Sequence, residues 1–111
     1  KPYGKKIADE TVRLNAVRDL GDLTVSYGTP ALAQQALQAL DGLRNDPSNH
    51  VRWKTVAAVK DIAVKFESGR PAAQDLLTLM SGDKDSTIAR AALNALREIN
   101  AAPQNTLHPE P

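Results

Sequence analysis

Apolar residues recur along this chain at intervals of three and four, the spacing that gathers side chains on one face of an α-helix. Between 9 and 27, Val12, Ala16, Val17, Leu20, Leu23 and Tyr27 share one arc of the helical wheel; between 49 and 66 the matching arc holds Val51, Thr55, Val56, Val59, Ile62 and Phe66. A displacement of 39 residues lays the first set on the second, from Val12 onto Val51 to Tyr27 onto Phe66, and carries Asp22 and Val25 onto Asp61 and Val64. A further 37 residues carry Val51, Thr55, Val56, Val59 and Ile62 onto Ile88, Ala92, Leu93, Leu96 and Ile99. One pattern thus occurs three times, and a period of this size predicts stacked helical units that cannot bury their apolar faces singly.

Start and stop signals divide the chain into five helices. The first is expected to open at Asp9, whose carboxylate can cap free N–H groups, and to run to Ser26, where Tyr27-Gly28-Thr29-Pro30 breaks it. Thr29 as N-cap and Pro30 at the first helical position open the second, 30–44. The turn formers Asn45-Asp46-Pro47-Ser48-Asn49 lead into the third, 49–66, and Glu67-Ser68-Gly69-Arg70-Pro71 into the fourth, 71–80. The fifth spans 86–100. Pro103, Pro109 and Pro111 oppose any continuation, so 101–111 is expected to be a disordered tail and 1–8 an N-terminal extension to a domain over 9–100. A second apolar strip, Leu14 and Val25 on the first helix and Trp53, Ala57 and Val64 on the third, predicts neighbours on more than one side of each. The fifth helix carries Arg90, Asn94 and Arg97 there instead, as suits a terminal helix with a wet outer face.

The segments Asp9-Glu10-Thr11-Val12-Arg13 with Ala16 and Leu20, and Asp46 to Val51-Arg52 with Val56, Val59 and Ile62, resemble the first helices of HEAT repeats. That family's loose pattern is an acidic residue, then Val-Arg, then small and apolar positions at helical spacing. The third copy departs from it, with Ala89 where Arg13 and Arg52 stand. The resemblance covers 9 to about 100 and implies an all-α fold, a short α-solenoid of antiparallel helix pairs with about two and a half HEAT-like repeats; a plain five-helix bundle is the alternative. It further implies that the second helices of the pairs line a concave surface. Gln34, Gln35, Gln38 and Asp41, with Gln74, Asp75 and Thr78, would then form one amide-rich strip, suited to hydrogen bonding with a protein segment.

Arg13 and Arg52 fall on the apolar arcs, where a charge needs a partner. Asp46 and Asp83, each five residues before the next copy's first apolar position, stand where a carboxylate can meet the Arg of the preceding unit in a bidentate bond. These four read as stitching between units, with an anion site as the functional alternative. The third helix is the most basic, with Arg52, Lys54, Lys60 and Lys65 against Asp61 alone. Trp53 beside Lys54 and Lys60 could stack on a base while the cations hold phosphate. The competing expectation is that Trp53 fills the groove between first helices near Leu14 and Val25, which would make its truncation cost about 3 to 5 kcal/mol.

Composition narrows the function class further. Fourteen basic against thirteen acidic residues leave a net charge of +1, which does not point to nucleic acid, and the absence of cysteine removes disulfides and thiolate metal sites. His50 and His108 have no spacing to each other or to carboxylates that suggests metal ligation, and no Gly-rich phosphate loop or local nucleophile and base pair occurs. No apolar stretch approaches the roughly 20 residues that span a bilayer, so membrane insertion is not expected. The expectation is a non-catalytic protein-binding or scaffold domain without cofactor, its partner another protein within a longer chain or assembly. The rivals are a nucleic-acid module working through the third helix and an accessory domain such as the HEAT-like lyases that attach bilin chromophores. The compartment is left open, with the cytoplasm as working expectation.

Overall fold

A computed structural model describes residues 2–103, with side chains from Asp9 onward. Five α-helices account for nearly all of them: α1 (Pro2–Tyr27), α2 (Pro30–Asp41), α3 (Asn49–Lys65), α4 (Arg70–Met80) and α5 (Ser86–Ala101). A single 3-10 turn, Glu67–Gly69, precedes α4, and no strand occurs among the described residues.

Most boundaries follow from capping. Thr29 Oγ1 accepts from the Leu32 N–H at the start of α2, Ser48 from the Val51 N–H at the start of α3, and Asp85 from the Thr87 N–H at the start of α5. Two boundaries differ from expectation. Helix α2 stops at Asp41 rather than Arg44, because Leu43 N–H and Arg44 N–H turn back to the carbonyls three residues earlier, Leu40 and Asp41, and wind the end out of α geometry. Helix α1 begins at Pro2, so Asp9 lies inside the helix rather than capping it. Proline is tolerated in a first turn, and nothing from Lys5 to Ala8 interrupts a helix. The expected tail beyond Pro103, with His108, lies outside the described residues.

Helix α3 is central: it packs against α1 on one side and α5 on the other, while α2 and α4 pack on α3 and on each other. Helices α1 and α3 meet at a near-constant residue offset, Glu10 beside Ser48 and Gly21 beside Ala58, so they run parallel. The offset is also nearly constant between α3 and α5, from Asn49–Asp85 to Lys60–Glu98, whereas α4 runs against α5, with Arg70 bound to Pro103 and Gln74 to Asn100. The approach of α1 to α3 is close enough that a Cβ on Gly21 would lie 3.1 Å from that of Ala58.

The core draws Leu37 and Leu40 from α2, Val51, Val59 and Ile62 from α3, Leu77 and Met80 from α4, and Ile88 and Ile99 from α5. The arc expected to be buried on α1 is not. Val17 is buried and Leu20 half-buried, but Val12, Leu23 and Tyr27 are 65%, 57% and 79% exposed. Helix α3 packs against all four other helices, whereas α1 packs against α2 and α3, and the shared apolar pattern is covered on α3 and largely on α5 but left partly open on α1. Trp53, expected to be packed in a groove near Leu14 and Val25, is instead 53% exposed. The outer flank of α5, with Arg90, Asn94 and Arg97, is exposed as expected.

Candidate functional site

Two linked motifs join the helix starts. Arg13 Nε and Nη2 donate to the two carboxylate oxygens of Asp46 at 2.7 and 3.0 Å, and Arg52 repeats the fork on Asp83 at 2.8 and 3.2 Å. In each, the same aspartate also accepts from the backbone N–H two residues on, Ser48 or Asp85, at 2.9 and 2.8 Å. Those two residues are themselves the N-caps of α3 and α5, and each is tied back to the preceding parallel helix: Ser48 Oγ donates to Glu10, and Asn49 Nδ2 donates to Asp85 at 3.2 Å. One carboxylate thus orders the loop, positions the cap and neutralises an arginine on the neighbouring helix. Ala89 stands at the third position, so the series stops at α5.

The environments of the two pairs differ. Arg52 and Asp83 have side chains only 6% exposed each, and Arg52 Nη1 also reaches the Asp46 carbonyl at 2.8 Å; Arg13 is one-third exposed over a buried Asp46. Every fork is filled from within the chain, and no buried side-chain polar atom among the described residues lacks a partner. That satisfaction favours stitching over the anion site, since a bound anion would have to displace a carboxylate already in bidentate register.

Burial opposes the Asp46 charge, but the Arg13 hydrogen bond, the Ser48 N–H and the charges of Arg13 and Arg52 outweigh it and hold the carboxyl below its ordinary 3.8. Asp85 is lowered as well, chiefly by the Asn49 amide and then by the Thr87 N–H. A depressed folded-state pKa contributes stability that is fully present above the unfolded carboxylate range, near pH 4, and is lost as pH falls through the folded value. Denaturation midpoints measured from pH 6 down to pH 2 are expected to fall below about pH 4. In Asp46→Asn the starting stability is lower and the acid-dependent fall shallower, with the Asp85 contribution remaining; an unchanged slope would remove Asp46 from the account.

The expected amide strip does not form one surface. Gln34, Gln38, Asp41 and Asp75 line a groove of about 350 Å³ between α2 and α4, over Leu37, Ala72, Leu76 and Leu79. Gln35 belongs instead to a separate groove between α1 and α2. Gln74 turns toward α5, donating to Asn100 Oδ1 at 2.9 Å, and Thr78 Oγ1 donates to the Gln74 carbonyl at 2.7 Å. Within the α2–α4 groove, Gln34 Nε2 is held by the Ser68 carbonyl at 2.9 Å and Asp41 takes a hydrogen bond from Arg44 at 2.9 Å. Gln38 and Asp75 are exposed at its rim, and Leu79 is 58% exposed within it.

On the outer side of α3, Trp53 and Lys54 are exposed. Lys60 Nζ lies 3.3 Å from Asp61 and 3.5 Å from Glu98, and although burial opposes its charge, these two carboxylates outweigh it and raise its pKa above the ordinary value. The broad groove beside it, lined by Asp22, Val25, Ser26, Lys60, Asp61, Val64, Lys65 and Glu98, is mixed in charge rather than basic. His50 is exposed, 3.6 Å from Glu10, and no group of residues suited to a metal ion occurs among the described residues.

One well-placed residue was missed by sequence reasoning. Arg70, buried at the start of α4, donates to the carbonyls of Ala63 at 2.9 Å, Val64 at 3.2 Å and Pro103 at 2.8 Å, and so ties the end of α3 to the chain leaving α5. No spacing to a carboxylate marks it, because its acceptors are backbone atoms from distant segments. Compared with protein-family models, curated proteins and solved structures, the chain matches none.

Proposed function

We propose that this chain is a non-catalytic protein-binding scaffold domain, built as a short solenoid of about two and a half HEAT-like units. The repeated Arg–Asp stitch with its coupled cap, displaced by 39 residues on the arginines and 37 on the aspartates, supports the repeat reading. A frame held by such pairs loses little conformational entropy when a partner docks. The observation that carries the binding reading is the α2–α4 groove, where Leu79 stands exposed among Gln38, Asp41 and Asp75 as an apolar floor with a polar rim. Its occupant would be a peptide segment that places an apolar side chain on Leu79 and donors on the rim.

The exposed Trp53 beside Lys54 favours a second reading, stacking on single-stranded nucleic acid. Its weakness is local charge, since Asp61 and Glu98 already neutralise Lys60. Capture of partners from the source cell at low and high salt separates the two. Leu79→Asp is expected to abolish capture with little salt dependence in the wild type, and Trp53→Ala to retain it while costing no more than about 1 kcal/mol of stability. Loss with Trp53→Ala alone, together with steep salt sensitivity and nuclease sensitivity, would transfer the function to the α3 face.

A further inference from the structure

The stripe of α1 is apolar along its length yet largely open, with only Leu20 packed against the core. Val12, Ala16, Leu20, Leu23 and Tyr27 follow one another at intervals of four, four, three and four, and the positions that match them on α3, from Val51 to Ile62, are fully buried. The α3 stripe is buried under two neighbours, α2 and α4, whereas the α1 stripe has α2 and α3 beside it and leaves Val12, Leu23 and Tyr27 open. The open side of α1 therefore has the shape that, elsewhere in this fold, receives an α-helix. Beside it, Leu32 of α2 is 48% exposed, and a groove of about 340 Å³ lies between α1 and α2, with Leu23, Tyr27 and Leu32 on its walls.

The flanking charges select the occupant. Asp9 lies one turn before Val12 and Asp19 one turn before Leu23, both exposed, while Arg13 beside Val12 is committed to Asp46. Asp19 has only its neighbour Arg18, at 3.3 Å on the open surface. A second copy packed antiparallel about the middle of the stripe would set the two Asp19 carboxylates near one another. The stripe is also small for that purpose: Val12, Leu23, Tyr27 and Leu32 together expose on the order of 500 Å², against about 800 Å² per partner in a stable dimer. A single amphipathic helix with Lys or Arg beside its apolar residues satisfies both the shape and the charge.

We propose that the shelf formed by α1 and the flank of α2 docks a basic amphipathic α-helix supplied by another protein, lying on α1 as α2 lies on α3. The shelf is separate from the α2–α4 groove, and neither proposal depends on the other. The test titrates isotope-labelled protein with two synthetic 16-residue helical peptides, both with leucine at successive i, i+4, i+7 and i+11 positions, one flanked by lysine and the other by glutamate. The lysine peptide is expected to shift amide resonances of 12–27 and 30–36, to bind at least tenfold more tightly than the glutamate peptide, and to lose at least tenfold in affinity in Leu23→Asp and in Tyr27→Ser. Both positions are exposed, and unchanged resonances for α4 and α5 in the free variants establish that the fold is intact. Equal affinity for the two peptides, shifts centred on Leu79 instead, or no binding of the lysine peptide would overturn the proposal. Concentration-dependent dimerisation that Leu23→Asp abolishes would do the same, by assigning the stripe to a second copy.

Discussion

Replacing Arg52 with alanine is expected to destabilise the protein by about 3 to 5 kcal/mol, since it strands a buried carboxylate. Asp83 would lose both arms of its fork, and the Asp46 carbonyl would lose the third donor of the same guanidinium. A domain of this size has roughly 5 to 15 kcal/mol in total, so a substantial unfolded population is expected at moderate temperature. Urea denaturation of Arg52→Ala, Asp83→Ala and the double variant Arg52→Met/Asp83→Leu provides the check. The double variant should recover much of the loss, because apolar replacement of a whole buried pair removes the desolvation penalty along with the attraction. A single-variant cost under about 1 kcal/mol would class the pair with surface contacts.

Arg70→Ala is expected to cost about 2 to 4 kcal/mol, the second largest effect, by a different route. Its guanidinium sits among carbonyls at the end of α3 and just beyond α5, where helix dipoles place partial negative charge, and it satisfies Ala63, Val64 and Pro103 together. Arg70→Lys should recover less than half, since one ammonium cannot reproduce the planar fork that spans two segments. Amide hydrogen exchange would localise the effect: loss of Arg70 should raise exchange in the last turns of α3 and α5 and leave the start of α3 protected. A uniform change along the chain, or full rescue by lysine, would contradict this account.

Several features were legible in the residues because their causes are local. Thr29 and Pro30 mark the start of α2 through a cap and a fixed backbone angle, and α3 and α5 lie within one residue of their expected ends. The Arg13–Asp46 and Arg52–Asp83 pairs were also readable, since an arginine on an apolar arc must be neutralised and a loop aspartate recurs at the matching position. Less legible was the N-terminus, where Asp9 had the composition of a cap but the helix simply continued back to Pro2. The amide strip failed for a related reason: Gln34, Gln35 and Gln74 share a composition, yet their positions around α2 and α4 turn each toward a different neighbour.

By itself, the sequence determined the five helices, the capped start of α2, the apolar arcs and the paired charges, which follow from local backbone preferences, spacing along one helix and the need to compensate a charge taken out of water. Only the tertiary structure decided which arcs are covered. The same periodicity lies buried on α3 and partly open on α1, and Trp53 is 53% exposed on the most surrounded helix, because burial depends on where the other helices lie around each one. Arg70 belongs to the same class: its role exists only where the ends of α3 and α5 converge on the start of α4, and a meeting of three distant backbone segments leaves no periodic trace in any one of them.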